Sequence, residues 1–176
     1  MDLREVREFI IDTSKMILTI VAVIIVIIYV ATIQQVVGPS MSPTYNSQDI
    51  VILNKLHYHL FDIKRFDVIS LEYDSTKYLI KRVIGLPGEK VEYKDNVLYI
   101  NDELVEEKFL KEDVITDNFS LAELGYEKIP QDMYLVLGDN REDSLDSREI
   151  GLIKKEDILG KVNLRIWPIN RIGYVK

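Results

Sequence analysis

Residues 16–33 read MILTIVAVIIVIIYVATI, eighteen positions without a charge in a chain of 176. As an α-helix this run is roughly 27 Å long, close to the hydrocarbon thickness of a bilayer. A buried core helix is the competing reading. Apolar residues cover every face of this one, however, and no other stretch offers a helix long enough to pack around it. A cleaved targeting segment also fits poorly. The preceding residues, MDLREVREFIIDTSK, mix three basic with four acidic side chains, and Tyr29 sets a bulky ring two positions before Ala31, where cleavage needs a small residue. The sequence therefore predicts an N-terminal segment 1–15 followed by one uncleaved transmembrane helix over 16–33. Arg4, Arg7 and Lys15 precede the run and no basic residue follows it until Lys55. That bias places the N-terminus in the cytoplasm and residues 34–176 on the outer side of a cell membrane crossed once.

Composition limits what the outer part can be. The whole chain is 47% apolar and 29% charged with only eight Gly and five Pro, which argues against disorder. It has no cysteine, so disulfides, thiol nucleophiles and cysteine-based metal sites are excluded. A net charge of −7 makes nucleic acid an improbable partner. Residues 34–176 suffice for one compact domain with its own core.

That domain reads as mainly β. DIVIL (49–53), FDVISL (66–71), YLIKRVI (78–84), residues 90–93, 97–100, MYLVL (133–137) and 162–167 are short, β-branched or aromatic, and bounded by turn formers. Lys94, Asp95 and Asn96 form a hairpin turn between two of them. Residues 102–131 are more charged and read as a peripheral insertion, with a short helix near 120–124. Another helical turn is expected over 154–158.

Three segments carry candidate chemistry. His57 and His59, the only histidines, make a weak metal pair without a third ligand, so no metal site is expected. In VVGPSMSPTY (36–45), Pro39 and Pro43 bracket Ser40 in a rigid turn close behind the apolar run. In YLIKRVI, strand alternation puts Lys81 on one face between Leu79 and Val83. A lysine so placed either snorkels to water or, if it cannot, loses proton affinity through desolvation. A neutral amine can deprotonate a serine hydroxyl without any histidine, provided the two lie within about 3 Å. The third segment, GDNREDSLDSREIG (138–151), reads either as a polar surface loop or as a hydrogen-bonded support around a site.

In this order behind one anchor, the segments resemble type I signal peptidases, membrane-bound serine proteases that remove signal peptides from exported proteins. GPSMSPT is similar to the family's nucleophile box, DIVILNKL to the strand after it, RFDVISL through YLIKRVIGLPGE to the general-base box, and GDNREDSLDSREIG to the final box. The matches span residues 36–151, and the single anchor resembles the Gram-positive bacterial form. The resemblance implies an antiparallel β-sheet catalytic domain with Ser40 as nucleophile and Lys81 as general base. It implies that Ser144 orients the lysine, that Asp146 and Arg148 form a supporting ion pair, and that Asp139, Asn140 and Arg141 belong to the same scaffold. It further implies cleavage after small residues of the Ala-X-Ala type, and no cofactor. Partners would be signal peptides of secretory preproteins and the lipid bilayer, with an exposed Met41 lining a substrate pocket and resting on lipid. One departure stands out: Gly38 occupies a place where some relatives carry an oxyanion-stabilising serine. Related Ser-Lys proteins with this kind of fold, such as self-cleaving repressor domains and mitochondrial inner-membrane peptidases, fit less well. A catalytically inactive, membrane-anchored binding module of the same fold is the alternative from a different class.

Overall fold

The computed structural model describes residues 2–56, 61–74 and 77–175, leaving aside the side chains of residues 26–28. His57 and His59 lie outside the described residues. The chain opens with helix α1 (Leu3–Val30) and continues into strand β1 (Ala31–Gln35). The helix thus starts earlier and ends three residues sooner than the apolar run predicts. Its early start draws on Glu5, an acidic residue in the first turn that suits the helix dipole. Its end follows from pairing: Ala31, Thr32 and Ile33 register with Asn54, Leu53 and Ile52 of β2 (Ile50–Asn54), and a ladder takes over the backbone bonds that helix would have made. Among the described residues no helix is long and apolar enough to cross a membrane. The side chains of Met16, Ile17, Leu18, Ile20, Val21, Val23, Ile24 and Ile25 are all exposed, so the helix shows apolar surface on every face.

Beyond α1 the molecule is mainly antiparallel β. The remaining strands are β3 (Val68–Asp74), β4 (Lys77–Gly85), β5 (Val91–Lys94), β6 (Val97–Ile100), β7 (Glu103–Val105), β8 (Phe119–Ser120), β9 (Met133–Leu137), β10 (Ile153–Lys154), β11 (Ile158–Trp167) and β12 (Gly173–Tyr174). The large sheet runs β1-β2-β11-β3-β4-β9-β10, with β12 also on β11; the small one runs β7-β6-β5-β8. The β5–β6 hairpin closes through Asp95 and Asn96, both at positive φ, which is the backbone a two-residue turn with the strands' own twist requires.

The two sheets meet over a core of Ile84, Leu135 and Leu137 from the large sheet against Val91, Tyr93, Leu98 and Ile100 from the small one. Phe119, Leu121 and Ile129 complete that core. The segment 102–131 is therefore no peripheral insertion: it supplies β7, β8 and a 3-10 turn (Leu121–Leu124), and three of its apolar side chains are buried between the sheets. Its high charge hid this, because the few inward positions are spaced too irregularly to show a period. A second core, with Val36, Tyr45, Val51, Leu53, Val68, Ile80 and Val162, lies under the Ser40 turn, and a third, with Ile69, Leu71, Val83, Val136 and Ile153, lies on the other side of β3 and β4.

Candidate active site

Ser40 sits on a tight turn that the second core holds in place. Ser42 N–H donates to Pro39 O at 2.8 Å and Tyr45 N–H to Met41 O at 2.8 Å. The turn's apolar side chains point inward: Met41 is only 1% exposed and packs with Val36, Tyr45 and Val51. This corrects the expectation of an exposed Met41 resting on lipid. A thioether flanked by prolines reads as a surface knob in sequence, yet burying it is what clamps the turn to the sheet. Gly38 enters the turn at φ +86, a left-handed conformation that favours glycine and accounts for the absence of a serine there.

Lys81 lies in the middle of β4, directly opposite Ile69 of β3, and is 1% exposed. Its Nζ is 2.7 Å from Ser40 Oγ. The apolar strand neighbours leave the ammonium no route to water, so desolvation lowers its pKa from 10.5 to about 8. Asp146 and Asp139 pull in the opposite direction and Arg148 assists the lowering. At pH 7 about one molecule in ten then holds a neutral amine, against roughly one in three thousand for an ordinary lysine. An uncharged amine at this distance can take the hydroxyl proton.

Loop 138–148 closes over this pair. Gly138 N–H donates to Asp146 Oδ2 at 3.0 Å, and the Asn140 N–H donates to Ser40 O at 3.0 Å, with Asn140 Nδ2 on Pro39 O at 3.3 Å. Asp146 takes both Nε and Nη2 of Arg148 at 2.9 Å and caps the short helix α2 (Ser147–Ile150). The expected Asp146–Arg148 pair is thus present as a bidentate bridge, the geometry a planar guanidinium favours. Arg141 binds Tyr93, Glu107 and Thr116. Ser144 Oγ is buried without a hydrogen-bond partner among the described residues, so it makes no bond to Lys81 here.

Asp139 does something the sequence did not announce. Its carboxylate takes Arg82 Nε at 2.8 Å and Nη2 at 2.6 Å, and also accepts from the Thr44 hydroxyl. Arg82 stacks on Phe109, its Cζ 3.9 Å from the ring centroid. Neighbouring residues of β4 therefore serve two networks: Lys81 meets the nucleophile turn at Ser40, and Arg82 is joined to the same turn through Asp139 and Thr44. The available signal was a second cation inside an otherwise apolar strand, where burial demands a partner. Among the described residues no cluster of metal-ligating side chains occurs.

The family described as "Signal peptidase, peptidase S26" matches residues 10–167. Signal peptidase I of Bacillus caldolyticus is 39% identical to this chain, the match covering 78% of it and 80% of that protein. Signal peptidase IB of Staphylococcus aureus is 36% identical across 97% of this chain and 94% of its own length. A crystal structure of a signal peptidase I from Enterococcus faecalis resembles the fold with a TM-score of 0.52 at 35% identity, covering 57% of this chain and 97% of that one.

Proposed function

The chain belongs to the signal peptidase family, peptidase S26, and from that premise we propose that it removes signal peptides from exported preproteins with a Ser40–Lys81 dyad. It is a serine protease. The observation that carries the dyad is the 2.7 Å approach of a buried Lys81 amine, its proton affinity lowered by desolvation, to Ser40 Oγ. Neutral Lys81 takes the hydroxyl proton as Ser40 Oγ bonds to the scissile carbonyl carbon. The protonated lysine then returns that proton to the departing amine, and the C–N bond breaks. A water deprotonated by Lys81 next attacks the ester carbonyl carbon, the acyl C–O bond breaks, and the lysine returns the proton to Ser40 Oγ. The Ser40 N–H stabilises the oxyanion in both steps.

Specificity for small residues of the Ala-X-Ala type follows from strand addition, in which an extended peptide lies along a sheet edge and alternate side chains enter shallow pockets. Strand β1 is an edge of the large sheet and ends five residues before Ser40, which supports this mode. Asp139, Asn140, Asp146 and Arg148 hold the turn and the base in register, and Ser144 Oγ lies buried against Gly138.

Membrane anchoring belongs to the same proposal. The uncharged part of α1, Met16 to Val30, is about 22 Å long and apolar all round, somewhat short of the roughly 30 Å hydrocarbon layer. Local thinning and snorkelling of Lys15 make up that difference. Arg4, Arg7 and Lys15 then lie in the cytoplasm and the β domain outside.

The testing experiment is cleavage of a preprotein carrying Ala-X-Ala by the full detergent-solubilised chain, followed across pH. A base with pKa about 8 must be unprotonated to act. The expected kcat/KM rises about tenfold per pH unit below pH 7 and levels above pH 8. Failure to cleave supports the binding module instead, and a flat profile between pH 6 and 9 removes Lys81 as base.

Gly138 offers a sharper structural check. A Cβ there would lie 2.1 Å from Ser144 Oγ and 2.4 Å from Ser40 O. The Ser40 oxygen is backbone and cannot rotate aside, so Gly138→Ala must displace the nucleophile turn. Cleavage is expected to fall about 100-fold in protein that circular dichroism shows to be folded. Activity within twofold of the parent would mean that the turn tolerates the shift.

A further inference from the structure

Resting on the proposed cleavage, we infer that Glu107 is a positioning residue for it, acting through Arg141 on the turn that holds Ser40. Glu107 comes from the 102–131 segment, outside the GDNREDSLDSREIG loop it supports. Its Oε1 accepts from Arg141 Nη2 at 2.6 Å, and the pair is nearly closed to solvent, with Arg141 at 0% and Glu107 at 9% side-chain exposure. Two neutral oxygens complete the cradle. Thr116 Oγ1 accepts from Arg141 Nη1 at 2.8 Å, and Tyr93 Oη accepts from it at 3.1 Å while donating to Glu107 at 2.8 Å. Burial holds the Tyr93 phenol well above its ordinary pKa, so its proton stays in place for that bond.

The other side of Arg141 faces the active-site loop. Its Nε donates to Gly138 O at 2.9 Å, and its own carbonyl accepts from Arg148 Nη2 at 2.8 Å. Gly138 is therefore gripped at both backbone atoms, its carbonyl by Arg141 and its N–H by Asp146. Two residues on, the Asn140 N–H holds Ser40 O. Without Glu107 the buried guanidinium has no carboxylate among its recorded partners and must tilt toward water. The turn 138–141 then loses one of its two clamps. A shift of about 1 Å in a positioned nucleophile is enough to cost on the order of 100-fold in rate.

The test compares the full detergent-solubilised wild type with Glu107→Ala, Glu107→Gln and the exposed neighbour Glu112→Ala. Steady-state cleavage is measured at a temperature where each variant is folded. Glu107→Ala is expected to lower kcat by about 10- to 100-fold with KM within about twofold of wild type. Glu107→Gln keeps an acceptor oxygen but no charge and should fall between the two, about 3- to 10-fold down. Glu112→Ala should match wild type. A Glu107→Ala enzyme that melts earlier yet retains wild-type kcat overturns the inference and leaves the protease reading intact. Should Glu107→Ala fail to fold, a Glu107→Gln kcat equal to wild type overturns it equally. A wild type that does not cleave removes both readings together.

Discussion

Lys81→Met is expected to abolish cleavage, by about 10⁴-fold or more, and at the same time to stabilise the protein. Both effects have one cause. The amine is useful as a base because its surroundings penalise its charge, and the folded state carries that penalty whenever the proton is bound. The folded pKa of about 8 lies below the ordinary 10.5. Below pH 8 both folded and unfolded chains hold the proton and the penalty is present in full. Between pH 8 and 10.5 the folded state sheds its proton first, so the penalty fades as pH rises. The lowering corresponds to roughly 3 kcal/mol at neutral pH. Methionine has a similar length and no charge to desolvate. Denaturation at pH 7 should therefore show Lys81→Met more stable by that order, with the advantage nearly gone above pH 10.5. Ser40→Ala should be equally inactive without the pH-dependent gain. Substantial activity in Lys81→Met, or equal stabilisation at every pH, would refute the role given to the amine.

Asp139→Ala should be among the most damaging substitutions to the fold itself. Both partners of the Arg82–Asp139 bridge are 1% exposed, and removing the carboxylate strands a guanidinium in the core and deprives Thr44 of its acceptor. Breaking a buried pair from one side costs about 3–5 kcal/mol, a large share of the 5–15 kcal/mol that holds a typical domain together. Urea unfolding should show a correspondingly lower midpoint. The double variant Arg82→Met with Asp139→Leu should recover much of the loss, since an apolar pair of similar volume no longer leaves a charge unpaired. A loss below about 1 kcal/mol in Asp139→Ala would mean that water reaches Arg82.

The strands of the β domain were legible because their β-branched runs are short and end in turn formers. Those expected at 49–53, 66–71, 78–84, 90–93, 97–100, 133–137 and 162–167 each have a counterpart. Strand β1 was not legible, because Ala31, Thr32 and Ile33 continue the apolar run and only pairing with β2 separates strand from helix. Periodicity put Lys81 between apolar neighbours but said nothing of Ser40, 41 positions away in sequence and 2.7 Å away in space. That link came from the resemblance. Met41 was misread because flanking prolines mark a turn without telling which side faces inward. Glu107 was invisible for a simpler reason: in a stretch crowded with acids, nothing local distinguishes the one that is buried.

Helix α1 passes into β1 with no intervening loop, and the helix's last carbonyl, on Val30, accepts from Lys55 N–H at 2.9 Å just beyond β2. Stem and sheet are thus splined together rather than hinged. With the stem seated in lipid as proposed, the unbroken backbone and that bond limit how far the β domain can nod or swivel in search of its target. The height of Ser40 over the headgroups becomes a built-in gauge, and each incoming chain must present its bond at that one level to be cut.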